Sequence, residues 1–496
     1  MDQNCLLSVR TRLLYLRALV KSTAFLVIGF FILFSVKAQP VSKIKITCIG
    51  ASITYGANLS NREENCYPAQ LQRMLGPGYV VANYGVSGTT LLKKGNQPYW
   101  KTTQYREALT SRPDMVLIDL GGNDSKLINR KYFAGFESDM HGLIRSFAQL
   151  PSHPRIILLL AMPSFAKDTS GIWDPVIVKQ VNPHIQNAAY NDGVEVIDMH
   201  SPFVDKENHM PDKIHPDAEG TVLMAKTIYD VLATKRNSSF NIFNSIKDKK
   251  FTFQSFYGYP CADFIFEGHD CKIVKPRLAA KGHPWVWRAR FWGHEPQTDI
   301  ALLERGYHIV YCDAAELFGN DEAIQLWNHY YSLLRKAGLS KKAVLEGMSR
   351  GGVYSLNWAA VNPGKVAAVY IDNPVLDLKS WPAGLGREPR SQPEFEAFIK
   401  DFHLSDSEQV KNFAGSPIDK IPQIVRGNYP ILILCADADE AVPPEENTVL
   451  FEQKIRDSKG QVTVIHKPGF HHHPHSLPNP APIIDFIVKA SADINK

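Results

Sequence analysis

Residues 44–54 read Ile44-Lys45-Ile46-Thr47-Cys48-Ile49-Gly50-Ala51-Ser52-Ile53-Thr54. A mostly apolar run that stops on Gly-Ala-Ser is the pattern of a buried strand delivered into a tight turn. Working outward, 79–82, 115–120, 156–161 and 194–197 have the same strand character, and 68–75, 136–147 and 218–232 read as helices between them. Strands alternating with helices over 43–235 predict parallel pairing with both sheet faces covered. In such a sheet ligands bind beyond the carboxyl ends of the strands, which is where Gly50-Ala51-Ser52 falls.

Three more blocks follow this lead. Asn83-Tyr84-Gly85-Val86-Ser87-Gly88 comes after the second strand and Gly121-Gly122-Asn123-Asp124 after the third. Asp212-Lys213-Ile214-His215-Pro216 then sets an acid three residues before a histidine. A serine hydroxyl needs a base, and His215 can take the proton of Ser52. Asp212 can fix the imidazole tautomer and stabilise the imidazolium. The Gly88 N–H, the Asn123 side-chain amide and the Ser52 N–H are candidate oxyanion donors, each worth roughly 2.7–4 kcal/mol.

Taken together, these blocks resemble the SGNH (GDSL-type) hydrolases, whose ordered Ser, Gly, Asn and Asp-x-x-His are matched at Ser52, Gly88, Asn123, Asp212 and His215. The resemblance implies a three-layer α/β/α domain over 43–235 and points toward carbohydrate O-acetylesterases, sialate O-acetylesterase-like enzymes included. Ala51 stands where that family usually has Asp. That acid is not the nucleophile, so the departure concerns loop geometry.

Residues 236–250 are polar and charged and read as a linker. Beyond them, 251–257, 261–267 and 270–276 look like consecutive strands joined by turns, after which strand–helix alternation resumes. Gly347-Met348-Ser349-Arg350-Gly351 follows the strand-like 343–346 and fits a G-x-S-x-G elbow. An acid and a histidine follow in order, in Asp437-Ala438-Asp439-Glu440-Ala441-Val442-Pro443 and Gly469–His475.

This half resembles the α/β-hydrolase fold over 251–496, with Ser349 as nucleophile. The family's Asp-x-x-Val-Pro turn favours Asp439 over its rival Asp437. Related sequences place the base early in the histidine run, which favours His472, then His473, over His471 and His475. The oxyanion donors would be the Arg350 N–H and an N–H of the loop Trp285-Val286-Trp287-Arg288-Ala289. Three adjacent histidines are expected to point in different directions, so the run is read without a metal, and neither site calls for a cofactor. Arg288 is either a substrate-carboxylate clamp or half of a salt bridge. Trp100, Trp285, Trp287 and Trp292 are either sugar platforms or core.

Residues 1–38 have the order of a secretory signal: Arg10, Arg12, Arg17 and Lys21, an apolar run over 24–34, then Val36-Lys37-Ala38. They hold five basic side chains (with Lys37) against Asp2, so without them the formal net charge of +5 falls to +1. The apparent basicity thus belongs to that segment and says nothing about nucleic acid; neither a nucleic-acid partner nor a stable membrane partner is expected. Export permits disulfides. Cys261 with Cys271 is the first pair to test, whereas Cys48, Cys312 and Cys435 read as buried thiols.

The expectation is therefore a secreted or periplasmic bifunctional esterase acting on acetylated carbohydrate through acyl-enzymes. The alternatives keep the first site and make the second half a carbohydrate-binding module, a peptidase or a glucuronoyl esterase.

Overall fold

Two sheets organise the residues described by the computed structural model, 43–314 and 316–492. The signal segment read from 1–38 lies outside them. The first sheet contains β1 (Ile44–Gly50), β2 (Tyr79–Gly85), β3 (Met115–Asp119), β4 (Arg155–Leu159) and β5 (Glu195–Ile197). All pairs are parallel, in the order β2-β1-β3-β4-β5.

Period-two alternation explains why these strands are apolar throughout. Val116, Ile118, Ile156 and Leu158 pack with Phe136, Met140 and Ile185 on one face. Leu117, Ile157 and Leu159 pack with Tyr67, Leu71, Met224 and Ile228 on the other. The helices Tyr67–Leu75 and Ala218–Ala233 thus cover one face, and Phe136–Ala148 and Asn182–Asp192 the other. The order reverses between β1 and β3, which opens a crevice at their carboxyl ends.

Residues 236–250 are built into the fold. Strand β6 (Arg236–Asn237) pairs with β10 (Ala279–Ala280), and Ile242 and Ile246 are buried. The second sheet holds β7 (Thr252–Phe256), β8 (Tyr259–Phe266), β9 (His269–Val274), β11 (Trp285–Arg288), β12 (His308–Cys312), β13 (Ala343–Met348), β14 (Val366–Asp372), β15 (Ile431–Ala436) and β16 (Val462–Lys467). Its order is β16-β15-β14-β13-β11-β12-β9-β8-β7. Strands β7, β8 and β9 form an antiparallel meander and the run from β12 to β16 is parallel. The meander turns on Tyr257-Gly258 and Glu267-Gly268, both pairs at positive φ as two-residue hairpins require. This is the α/β-hydrolase arrangement.

The halves share a core. Ile118, Leu158 and Val196 of the first sheet belong to the same apolar cluster as Tyr259, Val286 and Leu434 of the second. Polar ties cross the same boundary: the Tyr259 hydroxyl donates to the Val196 carbonyl at 2.9 Å, and Arg277 donates to the Ala189 carbonyl at 2.8 Å.

The Cys261–Cys271 pairing is corrected by strand register. Cys261 lies opposite Val274, whereas Cys271 lies opposite Cys312. All six described cysteines are free and buried. No helix among the described residues is long and apolar enough to cross a membrane.

Candidate active sites

The first site grows from the end of β1. A Cβ on Gly50 would stand 2.1 Å from the Thr54 hydroxyl and 2.8 Å from the Asp119 carbonyl, so the turn closes only on glycine. Ser52 then begins the four-residue helix Ser52–Tyr55, where its N–H has no partner within the helix. The His215 Nε2 lies 2.8 Å from the Ser52 Oγ, and the His215 Nδ1 2.6 Å from the Asp212 Oδ2. The other Asp212 oxygen accepts the N–H groups of His215 and Ile214 at 2.7 and 3.0 Å, which locks the turn. Burial pushes the Asp212 pKa up, but the bonds from the His215 ring and these two N–H groups outweigh it and hold the carboxyl below its ordinary value.

Asn123 and Ser52 line one small cavity with Ala51, Ile53, Ala161 and Ile172, about 30 Å³ in volume. The Asn123 amide donates to the Thr89 carbonyl at 3.0 Å, leaving its second N–H for another acceptor. Gly88 precedes that carbonyl by one residue, at φ 82°. The buried Asp124 accepts the Leu91 and Leu92 N–H groups at 3.0 and 2.8 Å, which ties the Gly88 loop to the Asn123 block.

Two contributors escaped the sequence reading. Asn58 donates to the Asp212 Oδ2 at 2.9 Å. Asp119 accepts from the Thr54 hydroxyl at 2.8 Å beneath the serine turn, and its burial pushes its pKa up to about 6. Asn58 lies in a stretch without periodicity, so nothing in the sequence marks it. Asp119 could have been suspected as an acid ending an apolar strand.

The second site stands on the turn after β13. Ser349 sits at φ 50°, a left-handed conformation that serine adopts only when its surroundings enforce it. Its N–H donates to the Asp372 carbonyl at 2.9 Å, and the Val375 N–H donates to its carbonyl at 3.0 Å. A Cβ on Gly347 would stand 2.3 Å from the Gly351 carbonyl oxygen, so glycine lets the helix Gly351–Val361 start this close to the strand. The His472 Nε2 lies 3.0 Å from the Ser349 Oγ and its Nδ1 2.7 Å from the Asp439 Oδ2.

Three of the rivals lie against other groups. Asp437 takes the exposed His466 at 2.7 Å, His471 faces Glu440 at 3.8 Å, and the buried His475 faces Asp372 at 3.1 Å. Asn373, unmarked by any motif, donates to the His472 carbonyl and accepts the Ala436 N–H, both at 2.8 Å. It thereby ties the base loop to the strand that ends before the acid.

Several expectations need correction. The Ala289 N–H donates to the Glu346 carbonyl at 2.8 Å and belongs to the sheet ladder. One residue on, the Arg290 backbone runs alongside Gly351. Arg288 is no substrate clamp: it is buried against Asp299, with Glu346 at 3.2 Å. Trp285 and Trp287 are fully buried, the latter stacked on Trp327 at 4.3 Å, so they are core. Trp100 is half-buried, donating to the Leu91 carbonyl at 2.7 Å. Trp292 is half-buried against Phe256. The Arg350 side chain pairs with Glu394 and lies 4.8 Å over the Phe318 ring. Nor does the histidine run fan out completely, since nitrogens of His472, His473 and His475 lie within 4.8 Å of one another.

Residues 48–223 match the family described as GDSL-like Lipase/Acylhydrolase. An acetylxylan esterase of Xylanibacter ruminicola is 36% identical over 212 residues, covering 39% of this chain and 44% of that protein. The chain thus spans less than half the length of this relative. Among solved structures, a carbohydrate acetylesterase from Sinorhizobium meliloti is 20% identical and covers 38% of this chain and 99% of its own, with a TM-score of 0.32. Acetyl xylan esterase 1 from Thermoanaerobacterium is 14% identical and covers 52% and 97%, with a TM-score of 0.35.

Proposed function

We propose, on the premise that residues 48–223 are a GDSL-like acylhydrolase domain, that this chain is an exported carbohydrate esterase with two serine sites. The observation that carries the reading is the pair of Ser-His-Asp sets at hydrogen-bond distance, Ser52-His215-Asp212 and Ser349-His472-Asp439.

In each site the carboxylate accepts the Nδ1–H of the histidine, which leaves the Nε2 lone pair for the serine proton. Serine attack on an ester carbonyl gives a tetrahedral oxyanion. At the first site the Ser52 N–H, the second Asn123 N–H and the Gly88 N–H receive it; at the second the Arg350 N–H does. Collapse expels the sugar alkoxide, protonated by the imidazolium, and water then attacks the acyl-serine by the same steps in reverse order.

The cavity beside Ser52, about 30 Å³, has room for a group near the size of one water, which suits the methyl of an acetyl ester. A second hollow of about 310 Å³ adjoins His215, lined by Asn58, Ser60 and Asp217 together with Leu59, Pro211 and Pro216. Its mix of polar and apolar groups suits a sugar ring, which offers hydroxyls on its edge and C–H groups on its faces. The similarity to an acetylxylan esterase favours acetylated plant polysaccharide as the substrate class. Export rests on the order of charges and apolar residues over 10–38.

Acetate release from acetylated xylan and other acetylated glycans, measured for Ser52→Ala, Ser349→Ala and the double variant, tests the reading. Each single variant should lose a separable part of the ester activity. Full ester activity in Ser349→Ala would end the two-site claim, and full activity in Ser52→Ala would end the assignment of the first site. N-terminal sequencing of exported protein should start at Gln39.

A further inference from the structure

Three imidazoles meet beside Ser349, and two of them are oriented by carboxylates. The Nδ1 of His472 faces Asp439 at 2.7 Å and the Nδ1 of His475 faces Asp372 at 3.1 Å. A carboxylate only accepts, so each Nδ1 carries the proton and each Nε2 carries a lone pair. Carboxylate–imidazole pairs of this kind orient metal-ligating histidines.

His473 joins them from the exposed side, with its ring centroid 5.0 Å from His472 and 4.9 Å from His475. The His294 ring flanks the group at 5.8 Å from His475 and 5.9 Å from His473. Lys467 lies 3.2 Å from the Asp372 carboxylate.

We propose that His472, His473 and His475 form a binding site for a borderline-soft divalent cation of the Zn²⁺ class, and that filling it shuts the second serine site. One lone pair at the His472 Nε2 must serve either the Ser349 proton, 3.0 Å away, or the cation. Binding and catalysis exclude each other there.

The donor set suits the ion, since imidazole nitrogen is a preferred zinc ligand. Bonds of about 2.0–2.1 Å place two ligand atoms roughly 3.4 Å apart in a tetrahedral site. The present nitrogens lie within 4.8 Å of one another, so all three rings close by a modest shift to reach that spacing. Water would take the fourth position. The inference rests on the second-site reading only for its inhibitory half.

The test uses the full chain in two measurements. Calorimetric titration with ZnCl₂, and visible absorption with Co²⁺ as a reporter of tetrahedral nitrogen ligation, read binding without any substrate. One ion per chain is expected, with affinity weakened at least tenfold in His473→Ala and unchanged in His466→Ala. The latter probes the separate cluster of Cys435, Asp437 and His466. Ester hydrolysis is then followed in Ser52→Ala, each protein normalised to its own rate in EDTA. Zn²⁺ should abolish that activity reversibly, and His473→Ala should raise the inhibiting concentration at least tenfold.

No saturable binding, or binding indifferent to His473→Ala, would overturn the site. Binding that leaves hydrolysis running would overturn the shut-off. A Ser52→Ala protein with no ester activity even in EDTA would count against the second-site esterase alone, because the cation is read independently by heat and by Co²⁺ absorption.

Discussion

At the first site the acid and the base come from one tetrapeptide, whereas at the second they come from the ends of two different strands. Asp212 and His215 share a turn, and the Asp212 side chain is 39% exposed. Asp439 and His472 follow β15 and β16, and the Asp439 side chain is 2% exposed. The nucleophiles differ in the same sense. Ser52 rides a relaxed helical turn, while Ser349 is held at positive φ by bonds from its neighbours. One acid is organised locally and open to water, the other is organised by the sheet and closed from it, while the two serines are equally buried at 8% exposure. Water screens the first carboxylate and leaves the second to act in a low dielectric.

This difference predicts unequal losses. Asp439→Asn should lower kcat at the second site by on the order of 10⁴, because the amide stabilises the wrong tautomer and no water replaces the carboxylate. Asp212→Asn should cost roughly one to two orders of magnitude less at the first site, where the exposed acid is partly replaced by solvent. Steady-state kinetics in the Ser349→Ala and Ser52→Ala backgrounds separates the two. Equal losses would mean that exposure does not grade these acids. Asn58→Ala, which removes one hydrogen bond to Asp212, should have a smaller effect still.

The same contrast governs what the sequence could show. Asp212 and His215, three residues apart, carry their geometry in their spacing, and Ser52 is marked by the turn that ends β1. At the second site the elbow is equally visible, but no spacing selects among four histidines. Tertiary partners select: Asp439 holds His472, Asp372 takes His475, and Asn373 fixes the His472 backbone. Strand register, which composition does not encode, sets Cys271 against Cys312 and draws the Ala289 N–H into the ladder. The shared core was hidden for a related reason. Periodicity shows that Val196 and Val286 are buried, and not that one cluster buries both.

Gly347 tests how tightly the second elbow is built. In Gly347→Ala the new methyl meets the Gly351 carbonyl oxygen at 2.3 Å, and the facing atom is backbone, which cannot swing aside. The expected loss of stability is about 1–3 kcal/mol, read by chemical denaturation, with the second activity falling more than the first. A variant as stable and as active as the parent would show that the helix can retreat without moving Ser349.

The smallest effect addresses the boundary between the halves. Glu304 is buried there and accepts the Asp198 N–H of the first half at 2.5 Å. Burial, reinforced by Asp198 and opposed by Arg305 and Arg236, pushes its carboxyl up from 4.5 to about 8. In the unfolded chain the group ionises near its ordinary value, so between about pH 4.5 and 8 the unfolded state loses a proton that the folded state keeps. Stability is therefore full below pH 4.5 and declines as pH rises through 8. A shift this large sets an upper bound of about 4–5 kcal/mol, and relaxation around the carboxyl should leave on the order of 1–2 kcal/mol. Glu304→Gln keeps the acceptor for Asp198 and cannot ionise. Its Tm should consequently fall less steeply from pH 5 to 8.5 than that of the parent. Because the core is common to both halves, unfolding should abolish the two serine activities together. Parallel Tm profiles for parent and variant would show that Glu304 is ionised in the fold, and two separate losses of activity would show that the shared core does not make the halves one cooperative unit.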